Sequence, residues 1–479
     1  FVTNLALLLF LNLLIKPFWI FGIDRTVQNI VGAESYGFYF SLFNFSMLFN
    51  IVLDMGITNF NNRNISQNRQ LLNKHFSGIV GLRFVLAVIY TLFVFAVALL
   101  AGYSTRQMNM LVFFAFNQFP IWFILYLRSN IAGLHLFKTD SLISVLDRFV
   151  MILICGYLIL NYSSGFRIEW FVYCQTFAYL FTAIVALIIV IRKASFRKFR
   201  WNLAFFRIIL KQSFPFALLT LLMVLYNRID SVLLERMLPG ETGSRQAGIY
   251  AAAFRILEAV IMVSYLFSVI LLPLFSRMIK LKQSVGTLTR MAFSLVFIIS
   301  FTTALVCFFY SDEIMHLLYT HHVNASAKVL PVIMFSFIPI STTYILGTLL
   351  TANGNMRQLN IVALGSVIIN VLINLLLIPK MMAVGSAMAS LISQSLSALL
   401  QVFIVAKVFQ WKFNGKYIFR LVKYTGSLLL IAVLVHNYIP GWVAGFLLTA
   451  GVSFLLVFVF RLVSLKNVRK LFNSNDKSE

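Results

Sequence analysis

Charge is scarce in this chain of 479 residues, and acidic charge is scarcest: 14 Asp and Glu stand against 39 Lys and Arg, and all charged residues together make up 11%. A soluble fold of this length needs far more polar surface, so the shortage excludes the ordinary globular classes. Cysteine is confined to Cys155, Cys174 and Cys307, each inside an apolar run and far from the others in sequence. That spacing offers neither a disulfide framework nor a set of metal ligands, and the three read as small buried hydrophobes. A P-loop, a glycine-rich nucleotide motif and a nucleophile elbow are all missing, which argues against ATP as the direct energy source. His321-His322 and Asp312-Glu313-His316 are close enough in sequence to suggest a metal, but they read as a solvated loop.

What fills the chain instead is apolar: 61% of residues are hydrophobic, Phe alone contributes 50, and the mean hydropathy is +0.91. A bilayer core about 30 Å thick needs about 20 apolar residues per helix. Fourteen runs meet that length, near 4–24, 36–60, 78–102, 109–132, 141–161, 169–191, 208–234, 247–274, 287–311, 328–351, 360–379, 383–406, 420–438 and 441–462. They are too long and continuous for barrel strands, so the expected fold is an all-α polytopic membrane protein. The first run, beginning at Phe1, reads as a truncated span and not as a signal peptide.

The basic residues alternate between the two ends of these spans. One side collects 27 of the 39, including Arg63, Arg69 and Lys74, seven between Arg192 and Lys211, and five after position 460. The other side holds only Arg25, Arg106, Arg167, Arg236, Arg245, Lys328 and Lys380. Under the positive-inside rule this puts both termini in the cytoplasm and requires an even number of spans. The surplus charge therefore marks topology, and nucleic acid is not an expected partner. The stretch 192–211, basic with interleaved aromatics, reads as an interfacial helix on anionic lipid between two halves of the chain.

Those halves repeat each other weakly. FGIDRTVQNIVGAESYGFY at 21–39 and YNRIDSVLLERMLPGETGSRQAGIY at 226–250 both carry Ile-Asp at a span end, a short loop, and a Gly-containing start to the next span. Six spans separate the copies, so both point the same way through the membrane. A parallel repeat of this kind places a substrate path where the halves meet. The expected organisation is a six-helix lobe at 1–191, a linker at 192–211, a second six-helix lobe at 208–406, two further helices at 420–462 and a cytoplasmic tail at 463–479.

Five basic residues fall inside spans or at their ends: Lys16, Arg83, Arg148, Arg228 and Arg255. Acidic residues in similar positions are Asp24, Asp54, Asp147, Asp230 and Glu258. A charge at a helix centre costs roughly 2.5–3.5 kcal/mol, so each needs a partner or a wet cavity. The surplus of cations suits a substrate carrying phosphate or another anion. The same residues could be structural pairs, with Arg255 and Glu258 at i,i+3 neutralising each other, or could snorkel to the interface. Lys16 lies deep in a span and precedes Pro17, which can kink the helix and free a carbonyl; Pro215 can act likewise. Asp24, Asp54, Asp230 and Glu258 are candidates for coupling or gating.

Three segments carry a family resemblance. Residues 32–66, GAESYGFYFSLFNFSMLFNIVLDMGITNFNNRNIS, resemble the opening signature of the polysaccharide (O-antigen type) flippases, within the multidrug/oligosaccharidyl-lipid/polysaccharide exporter superfamily. So does AGIYAAAFRILEAVIMVSYLFSVILLPLFSR at 247–277. Residues 353–394, with NGN, IINVLINLLLIP and VGSAMASLISQ, are similar to the region around that family's eleventh and twelfth helices, although Met381-Met382-Ala383 stands where a Tyr-Gly-rich turn is expected. The resemblance implies two pseudo-symmetric six-helix lobes of the MATE type plus two C-terminal helices. It also implies a transporter and not an enzyme, flipping an undecaprenyl-diphosphate-linked oligosaccharide to the outer leaflet of the bacterial inner membrane by alternating access. Lys16, Arg25, Arg228 and Arg255 match, by helix, the basic residues that engage the diphosphate in such proteins.

No cofactor is expected, and H+ or Na+ coupling is open. Other membrane proteins of polysaccharide assembly are conceivable partners. Two readings compete within the superfamily: a cation-coupled multidrug exporter, disfavoured by the cationic interior, and a lipid II flippase. A membrane-embedded glycan polymerase or ligase is the alternative from another class, and the short outer loops count against it.

Overall fold

The computed structural model describes residues 2–58, 61, 65, 70–134, 136–193, 203–411 and 414–462, which are helical or turn throughout, with no strand among them. The first helix, α1 (Val2–Phe18), runs through Pro17 and widens at once into a π-helical segment, Trp19–Asp24. Proline removes one amide donor from the ladder, and the chain takes up the slack with a longer-range bond: Arg25 N–H donates to the carbonyl of Ile20, five residues back. The segment feeds directly into α2 (Arg25–Leu48), so the loop expected near 25–35 is a helix with a single break at Gly32, φ 79° and ψ 166°. Among the polar residues that suggested a loop, Thr26 bonds back to the Gly22 carbonyl and Gln28 reaches another helix. Gln28 Nε2 donates to the Gly248 carbonyl at 3.0 Å.

The span expected at 36–60 is also interrupted. α2 stops at Leu48, a single turn follows as α3 (Ile51–Asp54), and Met55 and Gly56 take left-handed angles. A Cβ at Gly56 would collide with the carbonyl of Ser213, so this glycine answers to a close backbone approach. Regular helices resume with α4 (Gln70–Leu100), α5 (Thr105–Gly133), α6 (Phe137–Tyr162), α7 (Ile168–Lys193), α8 (Leu203–Met237) and α9 (Gly240–Lys280). Then come α10 (Gly286–Phe309), α11 (Ser311–Leu318), α12 (Val323–Phe335), α13 (Phe337–Ala352), α14 (Met356–Val408), α15 (Gly415–Tyr438) and α16 (Trp442–Val459). Asp312, Glu313 and His316, read as loop, form the short helix α11. Of the expected interfacial stretch, residues 194–202 lie outside the described residues and 203–211 open α8.

Residues 356–408 are joined without a loop but bend at Met382, φ 52° and ψ −129°, just after Pro379. The two limbs, of about 26 residues and about 39 Å each, are each long enough to cross a bilayer. Among the described residues, ten helices are long and apolar enough to do so. Their outward surfaces carry Leu92, Leu100, Phe403, Leu447 and Phe454, all exposed. Such surface is a liability in water and is ordinary solvent contact in lipid. The chain is an all-α, multi-pass membrane protein.

Two compact units divide it. The first comprises 1–252 with 374–386, and the second 253–373 with 387–479. In the first, a core built on α4, α5 and α7 gathers Phe76, Phe123, Tyr126, Leu127 and Ala186. Beside it Trp19 stacks on Phe171 at 5.7 Å, and Phe171 meets the edge of Tyr39 at 5.2 Å.

In the second unit, hydroxyls bind α15 and α16 to α10. Ser453 Oγ lies 2.6 Å from Thr302 Oγ1 and 2.7 Å from the Tyr424 hydroxyl. Within lipid, apolar surface gives helices little reason to associate, so hydrogen bonds and close packing carry more of the task. Ser453→Ala removes the shared hydroxyl and is expected to cost about 0.6–1.7 kcal/mol, read as a lower melting temperature of the purified protein. An unchanged melting temperature would mean that shape alone holds these helices.

Candidate functional site

Lys16 lies in the last turn of α1, one residue before Pro17, and the charges in its neighbourhood are Arg148 and Asp147 on α6 and Arg128 on α5. Arg128 is already engaged by Asp140, Nε to Oδ1 at 2.7 Å. Arg148 has a looser set of contacts. Its Nε is 3.8 Å from Asp147 Oδ2, one amino group donates to the Tyr179 hydroxyl at 3.2 Å, and the guanidinium lies 5.6 Å from the Trp19 ring centre. Lys16 and the Asp147–Arg148 pair thus lie on two helices packed side by side. Asn12 donates to Ser144 Oγ at 3.2 Å one turn earlier, tying α1 to α6 beside the pair. The π-helical turn after Pro17 sets Trp19 against Phe171, and so fixes the aromatic floor under Arg148.

Arg83 and Asp54 answer each other. The distance is 2.5 Å with both side chains almost fully buried. Arg83 also donates to Thr58 Oγ1 at 2.8 Å and to the Trp122 carbonyl at 3.2 Å, and lies 4.7 Å over the Tyr126 ring. Asp54 accepts from the Thr58 amide at 3.1 Å and from its hydroxyl. Several further bonds hold this close pair, leaving the buried Arg83 Nε without a partner, and the break after α3 is what carries Asp54 and Thr58 to it.

The repeated Ile-Asp motifs land in matching surroundings. Asp24 is buried and accepts from the Tyr36 hydroxyl at 2.6 Å. Asp230 is buried and accepts from the Tyr250 hydroxyl at 2.9 Å and from Asn374 Nδ2 at 2.8 Å; Ser386 in turn donates to Asn374 Oδ1 at 2.8 Å. The Gly positions of the repeat meet at a crossing of α2 and α9. A Cβ on Gly37 would overlap the Ser244 carbonyl, and one on Gly248 the Ala33 carbonyl. Each glycine rests on the residue four before its counterpart. Together with the Gln28 bond to Gly248, this is backbone-to-backbone packing of the small-xxx-small kind.

The remaining candidates are dispersed. Arg228 donates to Asn44 Oδ1 at 3.4 Å, and Asn44 donates to Ser231 at 2.8 Å. Arg25 follows the π-helical segment, with its Nε buried and without a partner. Arg255 pairs with Glu258 at 2.6 Å in the second unit, the i,i+3 contact their spacing allows. Pro215 lies in α8, and its side chain is outside the described residues. Among the described residues, no three His, Cys, Asp or Glu gather as metal ligands. Sequence reading passed over Tyr36, Tyr250, Tyr179, Asn374 and Ser386. The signal for the first two was present, since each sits beside a Gly of the repeat.

The family model described as polysaccharide biosynthesis protein matches residues 4–279. The chain belongs to that family. A search of curated protein sequences finds no match. Among solved structures, it is similar to lipid II flippase MurJ in an inward closed conformation, with a TM-score of 0.70 at 16% identity over 94% of this chain and 97% of that one. An inward-facing multidrug resistance MATE family transporter of the MOP superfamily gives 0.63 at 13%, over 84% and 98%. A MOP superfamily transporter from Pyrococcus furiosus, described by the reverse polarity of its binding pocket, gives 0.59 at 12%, over 85% and 95%. At these identities the likeness is one of fold. One of these neighbours is described as a flippase and the other two as transporters.

In this polysaccharide biosynthesis protein every candidate charge, from Lys16 to Glu258, falls within the matched segment, whereas Asn374 and Ser386 lie beyond it. The geometry separates a close, almost fully buried pair, Asp54–Arg83, from the looser contact of Arg148 with Asp147. Arg83→Leu leaves Asp54 buried without its counter-charge, and is expected to cost about 3–5 kcal/mol. Adding Asp54→Asn should recover most of that loss in thermal melting of the purified protein. Additive losses in the double variant would show that the two residues act separately.

Proposed function

We propose that this protein flips an undecaprenyl-diphosphate-linked oligosaccharide from the cytoplasmic to the outer leaflet of the bacterial inner membrane, for surface polysaccharide synthesis, by alternating access. The observation that carries the reading is the packing of α1 along α6, which brings the turn holding Lys16 beside the segment holding Arg148 and its loose partner Asp147, 3.8 Å away. A lipid-linked sugar crosses hydrocarbon only if its anionic head is met on the way, since an unpaired charge there is costly. Two cations with surplus positive charge answer a diphosphate, and guanidinium supplies directed donors to its oxygens. Membership of the polysaccharide biosynthesis family supports the sugar-lipid substrate, and the likeness to a lipid II flippase supports a lipid-carried one.

In this reading fourteen spans form two six-helix lobes with two C-terminal helices, both termini lie in the cytoplasm, and Arg25, Arg228 and Arg255 help guide the head group. The alternation of basic residues supports the orientation. Asp230 is the coupling candidate with the best surroundings: its carboxylate, the Tyr250 and Ser386 hydroxyls and the Asn374 amide oxygen are all hard donors suited to H+ or Na+.

The test is translocation of a diphosphate-linked oligosaccharide lipid in proteoliposomes. Lys16→Ala and Arg148→Ala are each expected to lower the rate at least tenfold, with Lys16→Arg retaining most of it and all variants inserting normally. Wild-type rates in both alanine variants would remove these residues from the site. Failure of the wild type on several glycan lipids, with export of a cationic drug, would favour the multidrug reading.

A further inference from the structure

Two unequal neighbours, a carboxylate and a guanidinium, meet the turn between α4 and α5 at the end of α8. Ser104 caps α5 together with Gln107: the Ser104 amide donates to Gln107 Oε1 at 2.8 Å, and the Gln107 amide donates to Ser104 Oγ at 3.4 Å. The side chain of Gln107 then reaches beyond its own helix, and Nε2 donates to Glu235 Oε1 on α8 at 2.6 Å. The other oxygen, Glu235 Oε2, is buried and has no partner. The adjacent cation does not supply one. Arg236 lays its guanidinium 4.5 Å from the centre of the Tyr103 ring and donates to the Ala101 carbonyl. Around the carboxyl, then, the charged or titratable groups are Arg236 from its own helix and Tyr103 from the turn. α5 presents only the neutral amide, and α9 approaches with Gly243, where a Cβ would stand 2.5 Å from the Glu235 carbonyl. A carboxylate with half its acceptor capacity unanswered in a buried place is better suited to its neutral form.

We propose that Glu235 is a proton-binding site that latches the end of α8 to the end of α5. With a proton on Oε2 the carboxyl stays buried against Gln107; without it the ionised group is drawn out to water and the two helix ends part. The proton is exchanged with bulk water, and no other bond forms or breaks. The inference rests on the orientation given under the proposed function, which puts both ends on the extracytoplasmic side, so the pH that matters is the one outside.

The direction follows from linkage. Burial raises the Glu235 carboxyl above its ordinary range in the latched arrangement, with the Arg236 charge and the Gln107 bond opposing it. Once the ends part and the group is hydrated, it returns to the ordinary range. The latched arrangement therefore holds the proton more tightly, and acid favours latching. Each unit of difference between the two values multiplies the latched-to-parted ratio by about ten from the alkaline to the acid limit.

The experiment is a spin-label distance measurement between Thr105→Cys and Pro239→Cys, both exposed positions, in the full-length protein in liposomes. The three native cysteines are buried and out of the label's reach. The wild type is expected to shift to the short distance as the outside pH falls from about 8 to about 5, and Glu235→Gln to hold the short distance at both. A distribution that ignores pH, one that lengthens in acid, or a Gln variant that still follows pH would each overturn the latch. Distances that follow pH in a protein that flips no lipid would leave the latch standing and remove the transport reading; flipping with an unresponsive distance would remove the latch alone.

Discussion

An ion in hydrocarbon has to be answered close by, with an opposite charge or a dense set of hydrogen bonds, and this constraint shapes most of the polar interior. Asp54 and Arg83 meet it at close range, at the expense of a continuous helix: the chain breaks between α3 and Gly56 so that Asp54, Thr58 and Arg83 can converge. Asp24 and Asp230 meet it with tyrosine hydroxyls and an amide. Arg148 meets it partly, through Asp147, Tyr179 and the Trp19 ring, while Lys16 lies on the helix packed beside it. The close ion pair at Asp54–Arg83 reads as architecture, and the looser contacts of Arg148 are those on which the proposed anion site is built.

The rarity of charge made the candidates legible before any coordinates were known. In a chain with 11% charged residues, a lysine in mid-span stands out, and so does an Ile-Asp that occurs twice. Their sorting was not legible. Lys16 and Arg148 are 132 positions apart, and nothing in either segment says that α1 lies along α6. Arg83 looked equivalent to Arg148 until its partners appeared across the α3 break. The spans themselves were readable because apolar length has one meaning in a bilayer. The stretch 25–35 misled because Arg25, Thr26, Gln28 and Asn29 are the composition of a loop, whereas Gln28 in the fold reaches the Gly248 backbone and the helix pauses only at Gly32. At Met381-Met382-Ala383 a methionine makes the turn with φ 52°, which no rule of turn composition favours.

The weak internal repeat is better written in the interior than in the residues. Ile-Asp and Gly-X-Tyr are what the two segments share, each copy buries its aspartate under a tyrosine hydroxyl, and each glycine lies against the other copy's backbone carbonyl. What is preserved is a set of contacts, which different neighbours can satisfy. The tyrosines are not equivalent positions: Tyr36 comes just before Gly37, whereas Tyr250 comes two residues after Gly248.

The crossing at Gly37 and Gly248 has a mechanical consequence. Helices that interlock through side chains resist both sliding and turning, because knobs must leave their holes before either motion can begin. Where α2 and α9 touch, the closest approach is between Cα atoms and carbonyl oxygens, pinned by the Gln28 side chain on the Gly248 carbonyl. Such a contact works as a spacer of fixed height, set by backbone alone, and a side chain added at either glycine would hold the two backbones apart.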